Sequence, residues 1–79
     1  MSRKAQALCV KVIALLQEER MRRKLSKYFV AQESGLSPQM IAYVERGIRN
    51  PTLETVLKMS EAMKVDLAKI ITQARKELC

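Results

Sequence analysis

The stretch LSKYFVAQESGLSPQMIAYVERG, residues 25–47, decides the fold, because it reads as two short helices joined at a tight corner. Ser26 supplies a side-chain acceptor where the first helix begins, and Val30, Ala31 and Ser34 then fall at i, i+1 and i+4, a small inward face that permits close crossing. Gly35 can take the positive φ that ends a helix, and Leu36 is the next apolar anchor. Ser37-Pro38 is an N-cap followed by the residue best tolerated at the first helical position. In the second helix Met40, Ile41 and Val44 face inward. Gln39, Ala42, Tyr43 and Arg46 are left on the opposite face, which carries no acid.

Outward from this corner the chain reads as helix throughout. Residues from about 4 to 23 form an amphipathic helix whose apolar positions Leu8, Cys9, Val12, Ile13, Leu15 and Leu16 make more than one stripe, widened by Val10 and Ala14. So wide a face suggests a second contact, a dimer interface including Leu8 and Val12; the plainer alternative is a small domain showing some apolar surface. Gly47 ends the second helix of the corner, Ile48-Arg49-Asn50-Pro51 is a loop, and Thr52 caps a helix over about 52–64. There Leu53, Val56, Leu57, Ser60 and Met63 fall on one face, broadened by Met59 and Ala62. Asp66 caps a fifth helix, about 66–78, with Leu67, Ile70, Ile71, Ala74 and Leu78 in one stripe. Its later part exceeds what a five-helix core needs, so Ile71, Ala74 and Leu78 are expected at a dimer face, with a frayed tail as the alternative.

Seventy-nine residues allow one domain, read as 1–79, whose core is too small to enclose a large substrate cavity. Fifteen Lys and Arg against eight Asp and Glu give a net charge of +7. Ten of those bases and four of those acids lie in residues 1–50, so +6 of the charge is there, which suits a surface facing a polyanion. The alternative is a solvated basic surface. Cys9 and Cys79 are too few and too far apart for a metal site, and there is no His, so no metal or cofactor is expected and a reduced, cytoplasmic chain fits. Lys11 interrupts the early apolar run and Gln17-Glu18-Glu19-Arg20 follows it, which argues against a signal peptide, and the run is far short of the ~20 residues of a membrane span. No paired carboxylates or catalytic cysteine environment suggest an enzyme.

The ordered set of Ser26, Val30-Ala31, Gly35-Leu36-Ser37, Ile41, Val44-Glu45-Arg46-Gly47 and Asn50-Pro51-Thr52-Leu53 resembles the helix-turn-helix of the Cro and phage-repressor (XRE-type) DNA-binding regulators, over about residues 16–70. The resemblance implies an all-α, five-helix lambda-repressor-like domain with the helix-turn-helix at helices 2 and 3. It implies an ion pair between Arg20 on the first helix and Glu45 at the end of the recognition helix. It makes Lys27, Arg46, Arg49, Asn50 and Thr52 the phosphate-binding set, and places Pro38, Gln39, Ala42 and Tyr43 on the base-reading face. Pro38 stands where better-studied phage members have Gln and brings no donor, so reading shifts to Gln39, whose amide can pair with adenine N6 and N7. Lys27 and Phe29 stand where the family often has Gln and Glu, so the capping-box acid is lost. Lys64 stands where the family prefers Gly, and Tyr28 and Gln32 where its activators carry acids, which turns the reading from activation towards repression.

Taken together these features lead to a sequence-specific binder of double-stranded DNA acting as a homodimer on a palindromic operator. It would be a repressor of its own or a neighbouring promoter, of phage, mobile-element, restriction-modification controller or antitoxin type. No membrane or small-molecule ligand enters this reading. The alternative is a protein-interaction module of the same fold, using Tyr28-Phe29 and the wide first helix to hold a toxin or polymerase subunit.

Overall fold

The computed structural model describes residues 3–48 and 50–78, and among them the chain is all helix: α1 Arg3–Arg22, α2 Lys27–Ser34, α3 Pro38–Arg46, α4 Leu53–Ala62 and α5 Leu67–Leu78. The all-α, five-helix class with the helix-turn-helix at α2 and α3 is therefore the observed architecture.

Four of the five helix starts have a local cause. Ser26 Oγ accepts from Phe29 N at 2.9 Å, Ser37 Oγ from Met40 N at 3.0 Å and Thr52 Oγ1 from Thr55 N at 3.1 Å. A cap of this kind is worth about 1 kcal/mol. Asp66 Oδ1 accepts from Ala68 N at 2.9 Å and starts α5. The corner itself turns on Gly35, whose φ of 78° is cheap only for glycine.

Three helix ends share one hydrogen-bond pattern. After α1, Lys24 N reaches Met21 O and Leu25 N reaches Arg20 O; after α3, Gly47 N reaches Val44 O and Ile48 N reaches Tyr43 O; after α4, Lys64 N reaches Glu61 O and Val65 N reaches Ser60 O. This is the Schellman closure, which requires one left-handed residue. Gly47 fills that place with φ 74°, but Lys24 and Lys64 do so at 58° and 57°, a costlier choice for a residue with a Cβ. Lys64, which stands where the resembling family prefers Gly, thus takes the left-handed conformation, and Lys24 repeats it.

Apolar burial then joins the helices. Leu16, Val30, Ile41, Val44 and Met59 are all at most 2% exposed and form the centre, with Val12, Leu15, Ala31, Met63, Ile70 and Ala74 around them. α1 packs on α5 and α3, and α2 packs on α3 and α4. Ser60, buried in the same core, keeps its hydroxyl satisfied by donating to Leu57 O at 2.9 Å. Arg23 Nη1 donates to Met63 O at 3.1 Å, so the end of α1 caps the end of α4.

Two expectations need correction. On α4 the buried face is Met59, Ser60 and Met63, while Leu53 is 68% and Leu57 41% exposed. Val56, half-buried, is the residue of the first turn that still packs against the core. Val12 and Ala74, expected at a dimer face, are core residues of the protomer, 8% and 0% exposed, because α1 and α5 pack against each other along that stripe. They have almost no surface to offer a second chain. Leu8 and Ile71 are half-buried and Leu78 is exposed.

Candidate nucleic-acid interface

α3 begins at a fixed point, since Ser37 caps it and Pro38 is its first residue with φ preset by the ring. Gln39 follows, exposed in the first turn, and Tyr43 lies one turn on, half-buried. Gln39 Nε2 donates to Tyr43 Oη. Ala42 is half-buried beside this pair in sequence, and Met40 packs against the core instead of facing out. Arg46, exposed, ends the helix.

Glu45, the single acid of α3, does not disturb this face. Its side chain is 3% exposed and is held by Arg20, whose Nε donates to Oε2 at 2.7 Å and whose Nη2 donates to Oε1 at 2.9 Å. Arg20 Nη1 also donates to Leu25 O at 2.8 Å, so one guanidinium ties α1, the lead into α2 and the end of α3. The pair consumes a negative charge that would otherwise repel phosphate.

The phosphate candidates lie on either side of α3 in the sequence. Lys27 is half-buried at the first position of α2, and Asn50 and Thr52 are exposed where the chain leads into α4. Thr52 also caps α4 and donates to Thr55 Oγ1 at 3.1 Å. The amides at the start of α4 carry the partial positive charge that favours anions. Arg49 lies outside the described residues, as does Cys79.

Sequence reasoning missed several contacts. The Gln39 to Tyr43 bond was within reach of an i, i+4 count, as was a reversed pair on α2, where Gln32 Nε2 donates to Tyr28 Oη at 3.0 Å. Lys11 Nζ lies 2.7 Å from Glu77 Oε1 and bridges α1 to α5, a long-range pairing that no spacing rule yields. The hydrogen bond to Glu77 raises the Lys11 pKa, and the same bond, with one from Gln73, lowers that of Glu77.

Beside the loop into α4 an apolar recess opens, lined by Leu8, Val12, Ile13, Pro51, Leu53 and Ile71 among others. Among the described residues no helix is long and apolar enough to cross a membrane.

A helix-turn-helix with an acid-free outward face defines the class, and the comparisons place the chain within it. A helix-turn-helix family model matches residues 16–70, and the chain belongs to that XRE-type family: it is a DNA-binding transcriptional regulator and not an enzyme. Among solved structures it is similar to a mutant of the restriction-modification controller protein C.Esp1396I, at 22% identity and a TM-score of 0.82, over 90% of this chain and 92% of that one. At that identity the likeness shows the fold. No curated protein sequence matches the chain.

Proposed function

We propose that the protein is a dimeric repressor that binds a palindromic operator at its own or a neighbouring promoter, in the manner of a phage or mobile-element repressor, a restriction-modification controller or an antitoxin. The observation that carries the DNA-facing assignment is the inward, neutralised Glu45, which leaves Gln39, Tyr43 and Arg46 as the polar face of α3. With α3 in the major groove, Gln39 and Tyr43 meet base edges, while Ala42 and Pro38 allow close approach or touch a thymine methyl. Lys27, Arg46, Arg49, Asn50 and Thr52 hold phosphates on either side. One protomer measures 34 × 22 × 18 Å and carries one such helix. Two half-sites about 34 Å apart therefore call for two copies, and the exposed Leu53 and Leu78 with the half-buried Leu8 and Ile71 supply apolar surface for their contact. The fold likeness to a restriction-modification controller agrees with this role.

A second reading draws on Tyr28 and Phe29, 62% and 41% exposed on α2. Two such aromatics side by side suit a protein partner, such as a toxin or a polymerase subunit. Gel shift against the region upstream of the gene, at two salt concentrations and beside random DNA, separates the readings. Tight, sequence-dependent and salt-sensitive binding is expected; no binding to either DNA overturns the repressor reading in favour of the partner reading.

A further inference from the structure

We infer that Tyr43 decides which base Gln39 reads, by holding one N–H of its amide. The inference rests on the DNA-binding reading above and names a positioning residue within it. Gln39 is in the first turn of α3, where recognition helices present side chains to base edges. Its start is fixed by the Ser37 cap and by Pro38, so the amide leaves the backbone from a defined point. Tyr43 is half-buried and four residues on, and its Oη accepts from Gln39 Nε2.

A primary amide has two N–H donors and one carbonyl acceptor. In the major groove guanine shows two acceptors, O6 and N7, whereas adenine shows an acceptor, N7, beside a donor, the N6 amino group. An unheld glutamine can satisfy either base, turning both N–H groups to guanine or pairing its carbonyl and one N–H with adenine. With one N–H given to Tyr43, only one donor is left for the two acceptors of guanine. One donor and one acceptor remain, the set complementary to adenine, and the carbonyl oxygen would meet guanine O6 as a repulsive pair. To satisfy both guanine acceptors the side chain must break the bond to Tyr43 and leave the phenol oxygen without that donor. Tyr43 thus acts through Gln39 as a filter against guanine.

The test is selection from a pool of randomised duplexes, with sequencing, for the wild type, Tyr43→Phe, Gln39→Ala and the double variant; thermal melting checks that each folds. The position read by Gln39 is the one whose preference Gln39→Ala abolishes. The wild type is expected to favour adenine over guanine there by about tenfold or more, within the range of one bidentate pair. Tyr43→Phe keeps the ring and is expected to bring guanine to within about threefold of adenine at that position, and to change nothing further there in the Gln39→Ala background. An unchanged adenine-to-guanine ratio in Tyr43→Phe, even with uniformly weaker binding, overturns the inference. So does an adenine-to-guanine shift at that position that persists in the double variant, since Tyr43 would then act on that base without Gln39. If the wild type enriches no motif at all, the DNA-reading function itself fails, an outcome distinct from these.

Discussion

Arg20 and Glu45, twenty-five residues apart, are joined by two parallel hydrogen bonds of 2.7 and 2.9 Å that lock α1 to the end of α3. Their side chains are 12% and 3% exposed, so both charges have largely left water. The planar fork fixes the angle at which α3 leaves the core, and orientation is its main product, because desolvation offsets most of the Coulomb gain.

Arg20→Ala leaves the Glu45 carboxylate buried without its partner, and Glu45→Ala does the same to the guanidinium. Each should cost about 3–5 kcal/mol in chemical denaturation. The double variant should lose less than the sum, since no orphan charge remains. Arg20→Lys should not restore stability, because an ammonium cannot make the parallel pair. Single variants that melt with the wild type would remove the bridge as a structural tie.

The left-handed lysines make a stabilising change available. Lys64→Gly should raise stability by about 1 kcal/mol by relieving the positive φ of 57°. A gain of that size shifts the melting temperature by about 4–8 °C in a domain this small. A fall in melting temperature would mean that the lysine side chain contributes more than its backbone costs.

Readers and clamps must respond differently to substitution. Gln39→Ala should cost about 1–3 kcal/mol on the cognate site and relax one position in each half-site, with little change on random DNA. Arg46→Ala should weaken cognate and random DNA alike and reduce the slope of log affinity against log salt by about one per half-site. Arg46→Ala that alters base preference with the salt slope intact would show α3 docked otherwise.

The bridge between Lys11 and Glu77 gives a pH signature. Glu77 titrates lower in the folded chain, so its stabilising share is present above the ordinary carboxylate range and is lost as pH falls through the folded value. Lys11 titrates higher, so its share is present below the ordinary lysine range and is lost as pH rises past it. The melting difference between wild type and Glu77→Gln should therefore be flat from about pH 6 to 9 and shrink at both ends. It should also fade in high salt, because the pair is open to solvent. A difference that does not shrink at all as pH falls below the ordinary carboxylate range would assign it to packing.

Association is tested at exposed residues, where substitution should leave folding intact. Leu53 and Leu78 are 68% and 49% exposed, so Leu53→Glu and Leu78→Glu should keep the melting temperature near wild type while weakening the dimer in sedimentation. A wild-type chain that stays monomeric at high micromolar concentration would defeat the dimer.

The sequence by itself determined what depends on neighbours along the chain. Ser26, Ser37, Thr52 and Asp66 mark helix starts because a cap bonds within three residues of itself, and Gly35 and Gly47 mark ends because a positive φ is local. Periodicity assigned Val30, Ala31, Ile41 and Val44 to the core for the same reason, and the resemblance named Arg20 and Glu45. Tertiary structure decided what depends on how helices cross. Leu53 and Leu57 share a spacing with Met63 yet stay exposed, because the core lies against Val56, Met59, Ser60 and Met63 instead. Val12 and Ala74 went inward because α1 lies along α5, and that crossing also brings Lys11 to Glu77 across sixty-six residues. A hydrophobic stripe shows that a face will be covered; which face covers it is fixed only when all five helices compete for the same small core.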